Sequence, residues 1–302
     1  MNRVIVIVGP TAVGKTKLSV ELAKKFNGEI INADSTQIFK GLDIATAKVT
    51  DEEKENIVHH LLDIKDVTED YTVYDYQRDG RKCIHDILSR GKMPIIVGGT
   101  GLYIKALLYD YKFEDENIIS NNYDDYTNEE LYNKLLAVDP NTEIHINNRK
   151  RVERALNYYE QNKKPFSSKE KSNKELFDAV YIGLTTEREV LYERINKRVD
   201  NMEKIGLIDE AQRVFDSNIR TKAVLTPIGY KELFPYFENK DTLLNCLDKI
   251  KHNSRRYAKR QYTWFNNQMN VCWFKVDFEN FDNTIQEVSK YIENLVHKKG
   301  VN

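Results

Sequence analysis

The chain has 302 residues, and its 46 basic and 47 acidic residues give a formal net charge of −1. A hydrophobic content of 40% with 31% charged residues is typical of a soluble globular protein. No run of 18 apolar residues and no charged leader is present, so we expect a cytoplasmic protein with no membrane partner. Three widely spaced cysteines without a C-x-x-C pair support neither a disulfide framework nor a zinc knuckle.

A phosphate-binding loop follows the first predicted strand. Residues 9–16 read GPTAVGKT, which matches G-x-x-x-x-G-K-[ST], between an apolar strand at residues 4–8 and an amphipathic helix at residues 17–26. The backbone N–H groups of such a loop and the N-terminus of the helix attract an anion. Lys15 adds a charge for phosphate oxygens, and Thr16 adds a hydroxyl for a magnesium ion. The loop therefore predicts a bound phosphorylated small molecule, without specifying which one.

Strands and helices alternate over the first hundred residues. Further strands are predicted at residues 29–33 and 94–97, and further helices at residues 73–89 and 102–108. This alternation favours a parallel sheet covered by helices, whose ligands bind at the carboxyl ends of the strands. Three such ends are then expected to meet at one site, namely the phosphate loop, Asp34-Ser35 and Gly98-Gly99-Thr100.

The pattern changes after residue 113. Residues 114–177 lack strand-type runs and contain two helical patterns, at 128–138 and 148–161, which predicts a helical insertion domain. Strand character returns at residues 180–184 and again at 271–276, and helices are predicted at residues 188–204, 207–215, 231–237, 243–266 and 284–298. We therefore expect an α/β fold of the P-loop NTPase type, a parallel sheet flanked by helices, with residues 1–113 and 178–302 as its core.

Asp34 and Thr100 are the chemically informative residues at the other two strand ends. A carboxylate beside a phosphate loop can hold magnesium through water or act as a general base, and Asp34 can equally cap a helix. A nucleotide hydrolase usually carries an acid where Thr100 stands. A hydroxyl there weakens an ATP-hydrolysis interpretation and favours other chemistry on a diphosphate, although Thr100 can also cap the helix that follows it.

Two basic segments depart from the near-neutral average charge. One is Arg149-Lys150-Arg151 with Arg154, and the other is residues 251–260 together with aromatic neighbours. Such clusters on helices are usually solvated faces, but interleaved arginines and aromatics also suit phosphate contacts and base stacking. Arg198 taken alone is an ordinary surface arginine, and a second interpretation is that it neutralises charge on a diphosphate.

These segments together resemble the tRNA dimethylallyltransferase family, also called IPP transferases, which prenylate an adenine beside the anticodon. The resemblance covers nearly the whole chain, and its motifs occur in the family's order. After the phosphate loop they are DSTQ at 34–37, GLDIATAK at 41–48, HHL at 59–61, GGTGLY at 98–103, KRVERAL at 150–156, Arg198-Val199 ahead of Gly206-Leu207, IGYKE at 228–232 and YAKRQ at 257–261.

The resemblance implies that the loop binds the diphosphate of dimethylallyl diphosphate, with Mg²⁺ near Thr16. N6 of a flipped adenine would attack the allylic carbon. Asp34 would accept the N6 proton, Thr100 would hydrogen-bond at the bridging oxygen, and Lys15 with Arg198 would stabilise the departing diphosphate. The residues implied to bind the diphosphate are Gly9, Thr11, Ala12, Val13, Gly14, Lys15 and Thr16.

The family also implies a tRNA partner, recognised at its anticodon stem-loop, with a preference for tRNAs that read codons beginning with U. The residues implied to contact it are Asp34, Ser35, Thr36, Gln37, Thr100, Lys150, Arg151, Val152, Glu153, Arg154, Arg256, Lys259 and Arg260. We expect a monomer.

Three other functions stay open at the level of sequence. A small-molecule kinase would place ATP in the loop, but the missing acid after Val97 counts against it. An adenylate prenyltransferase would use the same chemistry on AMP, yet it needs no helical insertion or basic cluster at 150–154. A non-enzymatic RNA-binding module would not require Lys15, Asp34, Thr100 and Arg198 at converging strand ends.

Overall fold

The computed structural model describes residues 3–113, 121–168 and 174–299. Its strands are β1 (Arg3–Val8), β2 (Gly28–Asn32), β3 (His59–His60), β4 (Met93–Val97), β5 (Asp178–Thr185) and β6 (Cys272–Lys275). Its helices are α1 (Lys15–Lys25), α2 (Asp51–Lys54), α3 (Val73–Ser89), α4 (Gly101–Leu108), α5 (Asn128–Val138), α6 (Arg149–Asn162), α7 (Arg188–Lys204), α8 (Leu207–Asp216), α9 (Lys222–Leu225), α10 (Phe234–Phe237), α11 (Leu243–Gln268) and α12 (Phe281–Lys299).

The six strands form one parallel sheet in the order β3-β2-β4-β1-β5-β6. Strand β1 is central, and all six of its residues are buried. Because helices cover both faces of a parallel sheet, its strands read as continuous apolar runs, as RVIVIV does here. The predicted α/β fold with a parallel sheet flanked by helices is confirmed.

Alternate residues of β1 enter two separate apolar cores. Val4, Val6 and Val8 pack on one side, in a core that contains side chains of α3, α4, α8 and α11. Ile5 and Ile7 pack on the other side with side chains of α1 and α12. The period of two along a strand produces this division, because successive side chains point to opposite faces of the sheet.

The chain divides into two compact units, one formed by residues 1–109 with 175–302 and the other by residues 110–174. Both boundaries lie a few residues before those predicted at 113 and 178. Within the second unit, α5 and α6 pack around Leu131, Leu135 and Leu156. Residues 114–120 and 169–173 of the predicted insertion lie outside the described residues.

Several elements of the structure were not predicted or differ from their prediction. The apolar segment at 59–64 pairs with the sheet only at His59 and His60, because Leu61 and Asp63 adopt left-handed backbone conformations with φ of 60° and 53°. The helix predicted over 231–237 begins only at Phe234, with Pro235 in its first turn, where a missing N–H costs nothing. The short helix α9 was not predicted. Among the described residues, no helix combines the length and the apolarity needed to cross a membrane.

Candidate active site

The phosphate loop joins β1 to α1, and its backbone requires glycine at two positions. Gly9, Ala12 and Gly14 have positive φ values of 140°, 66° and 100°. A Cβ atom on Gly9 would lie 2.7 Å from the carbonyl oxygen of Leu184, and one on Gly14 would lie 2.7 Å from the ring of Phe281. Conformation and space therefore both favour glycine at 9 and 14. Helix α1 begins at Lys15, so its first N–H groups belong to the loop.

Two cationic side chains converge on this loop. Lys15 Nζ donates hydrogen bonds to the carbonyl oxygens of Gly9 (3.0 Å) and Pro10 (2.8 Å). Arg198, on α7, donates from Nη1 to Thr11 Oγ1 at 3.1 Å. Desolvation, followed by the charge of Arg198, lowers the pKa of Lys15 to about 8, against an opposing effect of Asp34. Two cations held together away from water form a binding site for an anion that carries more than one negative charge.

Asp34 lies two residues after the end of β2 and caps a turn rather than a helix. Its Oδ1 accepts hydrogen bonds from the backbone N–H of Thr36 (3.0 Å) and from Thr36 Oγ1 (2.7 Å). Its own N–H donates to Asn32 Oδ1 at 3.0 Å. The alternative of a helix N-cap at Asp34 is wrong, because residues 35–37 form a turn. The carboxylate is held by one of its two oxygens and lines the same cavity as Lys15 and Arg198.

Thr100 occupies the N-cap position of α4, but its side chain makes no capping hydrogen bond. Instead, its hydroxyl oxygen accepts a hydrogen bond from the backbone N–H of Ser35 at 3.1 Å and donates to Ser35 Oγ at 3.3 Å. The hydroxyl predicted for the reaction therefore ties the end of β4 to the end of β2. The carboxyl ends of these strands meet, as the sequence predicted.

Gln261 of α11 was not singled out by the sequence, yet it connects two of these strand ends. Its Oε1 accepts from the N–H of Thr11 at 3.1 Å, and its Nε2 donates to the carbonyl oxygen of Gly99 at 3.2 Å. The side chain is 5% exposed. A buried amide that satisfies one donor and one acceptor fixes both loops at once.

The glycines of the GGTG segment let neighbouring groups approach closely. A Cβ on Gly98 would lie 2.2 Å from the carbonyl oxygen of Ala33. One on Gly99 would lie 1.9 Å from Gln261 Nε2, and one on Gly101 would lie 2.0 Å from the indole ring of Trp264. The glycines at 99 and 101 are thus the sequence signal by which the docking of α11 could have been found.

One cavity of about 840 Å³ in the first unit brings these groups together. Its polar wall includes Lys15, Thr16, Asp34 and Arg198, and Tyr257 of α11 also lines it. The pKa of the Tyr257 hydroxyl is raised by burial and then by the charge of Asp34. Thr100 itself is not among the lining residues. Ser35, Thr36 and Gln37 are, as are Thr11, Ala12, Val13 and Gly14 of the loop.

The residues implied to contact tRNA are in different environments. Lys150, Arg151, Arg154, Arg256, Lys259 and Arg260 have exposed side chains. Val152 is 1% exposed and packs in the core of the second unit, so its side chain offers no surface to a partner. Glu153 pairs with Arg149 at 2.7 Å, and Gln37 Nε2 donates to the carbonyl oxygens of Thr46 (3.0 Å) and Ala47 (3.2 Å).

Thr16 and Asp34 offer oxygen atoms that suit a magnesium ion. The described residues contain no group of three or more Asp, Glu, His or Cys side chains able to hold a metal ion. Thr16 and Asp34 nevertheless line one cavity and offer oxygen ligands. Magnesium prefers oxygen ligands, keeps several waters, and binds through one or two protein groups and the phosphates of a substrate. A hydroxyl and one carboxylate beside an anion site are consistent with that mode of binding.

Comparison with known proteins identifies relatives of the whole chain. The family model described as IPP transferase matches residues 37–268. The chain is 48% identical over 304 residues to a tRNA dimethylallyltransferase of Anoxybacillus flavithermus, covering 98% of each chain. It is 49% identical over 282 residues to a tRNA dimethylallyltransferase of Bacillus subtilis, covering 90% of each.

Solved structures agree with this relationship. The crystal structure of a tRNA isopentenylpyrophosphate transferase from Staphylococcus epidermidis superposes with a TM-score of 0.74 at 44% identity, over 97% of this chain and 99% of that one. A eukaryotic dimethylallyltransferase acting on tRNA superposes with a TM-score of 0.83 at 31% identity, over 98% of this chain and 80% of that one. The family resemblance seen in the sequence is thereby confirmed, and the chain belongs to the IPP transferase family.

Proposed function

We propose that this protein transfers the dimethylallyl group of dimethylallyl diphosphate to N6 of the adenosine on the 3′ side of the anticodon, position 37, of tRNA. The products are N6-(dimethylallyl)adenosine and diphosphate, and the tRNAs are those that read codons beginning with U. The observation that carries the proposal is the single cavity lined by Lys15, Arg198 and Asp34. It combines a site for a polyanion with a carboxylate able to take a proton. The relatives named as tRNA dimethylallyltransferases supply the substrate class.

The phosphate loop and its two cations hold the leaving group in this proposal. Lys15 and Arg198 neutralise the charge that develops on the bridging oxygen as the C–O bond of the prenyl diphosphate breaks. Their charges are preorganised, because both side chains are already held against the loop. Thr16 would help to hold Mg²⁺, which would supply further positive charge beside the phosphates.

Asp34 provides the base. The N6 nitrogen of the adenine forms a bond to the allylic carbon, and one N6 proton passes to the Asp34 carboxylate. Since Oδ1 is engaged by Thr36, Oδ2 is the oxygen that takes the proton. Thr100 and Ser35 connect this strand end to the next one and so position the carboxylate with respect to the loop.

The recognition of tRNA is assigned to exposed basic residues on both units, Lys150, Arg151 and Arg154 on α6 and Arg256, Lys259 and Arg260 on α11. Their charges suit the phosphates of an RNA backbone. We further propose that the active form is a monomer and that the protein acts in the cytoplasm, where its tRNA substrate is found.

Radiolabelled dimethylallyl diphosphate tests the proposal directly. It is incubated with the protein and one of three acceptors: an unmodified transcript of a tRNA that reads a codon beginning with U, the same transcript with guanosine at position 37, or AMP. Label is expected in the first transcript alone. Label in AMP but not in tRNA would show an adenylate prenyltransferase, and label in no acceptor would refute prenyl transfer.

The isosteric variant Asp34→Asn serves as the matched control for the chemistry. It is expected to lower kcat by about 10³-fold, within the range for removal of a general base. Filter binding should show tRNA affinity within about threefold of the wild-type protein. A large loss of tRNA affinity with little change in kcat would identify Asp34 as a recognition residue instead of a base.

A further inference from the structure

One wall of the cavity is a loop whose backbone is held by a buried carboxylate of another element. Residues 43–46 line the cavity but belong to no strand or helix. Glu210 of α8, which is 2% exposed, accepts hydrogen bonds from three consecutive N–H groups of this loop. The distances are 3.0 Å to the N–H of Asp43, 2.9 Å to that of Ile44 and 3.0 Å to that of Ala45.

A fourth donor completes the set around this carboxylate. The hydroxyl of Tyr230 donates to Glu210 Oε1 at 2.7 Å. Burial, followed by the adjacent charge of Glu210, raises the pKa of Tyr230, so its hydroxyl stays a donor. Four donors on one buried carboxylate satisfy its charge.

Carbonyl groups of the loop backbone are held as well as its N–H groups. Gln37 Nε2 donates to the carbonyl oxygens of Thr46 and Ala47. Gly229, with a φ of 133°, lies so close that a Cβ there would be 2.8 Å from Ala45 Cβ. The wall is therefore fixed from both sides, and Glu210 is the group that fixes its N–H side.

We propose that Glu210 is a positioning residue that holds the 43–46 loop as a rigid cavity wall and thereby sets the ground-state affinity for the prenyl diphosphate. The inference rests on the proposed function and names a determinant of substrate binding at the same site. Ile44 and Ala45, with Met202 and Ile228, give this part of the cavity an apolar surface. Such a surface complements a five-carbon alkyl tail, whereas Lys15, Arg198 and Asp34 act on the reacting atoms.

The test uses Glu210→Gln in the full chain. Glutamine has the same size, but its amide nitrogen places a donor against backbone donors, so the loop loses part of its attachment. Hydrogen–deuterium exchange of the peptide covering 43–46 should accelerate at least tenfold. The KM for dimethylallyl diphosphate should rise about tenfold, with kcat within about threefold of wild type. Discrimination against the ten-carbon geranyl diphosphate should fall, and Glu210→Asp, which keeps both acceptor oxygens, should recover part of each effect.

Glu29→Gln is the matched control, because Glu29 is a carboxylate of similar burial, 3% exposed. It pairs with Arg90, Lys92 and His60 near the start of β2, away from the carboxyl ends of the strands. This variant should lose thermal stability and keep the wild-type KM. An equal rise of KM in Glu29→Gln would mean that destabilisation alone produces the effect, and it would overturn the proposal.

Other results of these measurements also decide whether Glu210 has a positioning role. An unchanged KM in Glu210→Gln, or a fall in kcat at unchanged KM, would overturn the positioning role. Should Glu210→Gln fail to fold, Tyr230→Phe replaces it. That variant removes the hydroxyl donor to Glu210. The KM for dimethylallyl diphosphate should rise about threefold, and an unchanged KM would overturn the proposal. If the wild-type protein itself does not prenylate tRNA, the proposed function fails; calorimetric binding of dimethylallyl diphosphate and the exchange measurement then still decide the role of Glu210.

Discussion

Helices α6 and α11 both carry basic residues on their exposed sides, but their inner sides make different connections. On α6, Arg149 donates to the carbonyl oxygens of Tyr123 (2.6 Å) and Tyr126 (2.8 Å), partners within the second unit. On α11, Gln261 reaches Thr11 and Gly99, which are 250 and 162 positions away in the chain. Surface charge on a helix therefore does not reveal whether the helix only supports its own unit or also organises the cavity.

The packing of α11 against Gly101 gives the largest effect expected in the comparison of these two helices. A Cβ in Gly101→Ala would lie 2.0 Å from the Trp264 ring, so α11 or the 98–101 segment must shift. Overpacking of this kind costs about 1–3 kcal/mol, and a displacement of about 1 Å at a site lowers the rate about 100-fold. We expect kcat/KM to fall at least about 100-fold, measured by prenyl transfer to tRNA. Gly80→Ala on α3 meets only the flexible end of Leu107 and should keep wild-type activity; equal activity of both variants would contradict the coupling by α11.

Substitutions on the exposed side of α6 should affect the binding of tRNA alone. The triple variant Lys150→Ala, Arg151→Ala, Arg154→Ala is expected to weaken tRNA binding about 30-fold at physiological salt. The slope of log affinity against log salt should fall by about 1 for each phosphate group that the variant no longer neutralises. The melting temperature and the KM for dimethylallyl diphosphate should stay unchanged. A triple alanine variant at Lys24, Lys240 and Lys290 removes the same charge from the first unit; an equal weakening of tRNA binding there would show a non-specific charge effect.

A rise in pH should weaken the binding of the diphosphate in the cavity but not the binding of tRNA at the basic surfaces. Lys15 has a pKa lowered to about 8 in the free protein, so the cation is progressively lost as the pH rises through that value. Dimethylallyl diphosphate keeps its charge over this range and favours protonated Lys15, so its affinity should be about tenfold weaker at pH 9 than at pH 7. Calorimetry should also record proton uptake on binding at pH 9. tRNA binding without the prenyl donor should change little, and a flat affinity for the diphosphate would contradict the lowered pKa.

Arg149 and Arg154 allow the smallest and most local comparison, two arginines on one helix. Arg149→Ala removes hydrogen bonds to Tyr123, Tyr126 and Asn128. A loss of about 1–2 kcal/mol in the free energy of unfolding is expected, as for carbonyl groups that lose their donor. Arg154→Ala should leave stability unchanged and reduce the salt slope of tRNA binding. If the two variants behaved in the reverse way, the division of α6 into a structural and a binding side would be wrong.

Local sequence patterns predicted much of the secondary structure. The bounds of α3, α5 and α7 are as predicted, and α3 and α5 each begin with a capping box, at Thr72 and Thr127. The reason is that periodicity and capping depend on residues three or four positions apart. Helix α10 is shorter than its pattern, because Pro235 restricts where the helix can begin.

The amino-acid sequence by itself determined the phosphate loop, the parallel sheet, the position of Asp34 at a strand end and the family. Each of these can be predicted from short motifs or from buried apolar strands. The carboxyl ends of parallel strands must lie at the same edge of the sheet. Only the tertiary structure decided that Thr100 binds Ser35, that Gln261 joins two loops, and that Glu210 holds the 43–46 wall. These hydrogen bonds join residues 65 to 250 positions apart, with no local pattern. They exist because buried polar groups must find partners wherever the fold brings them.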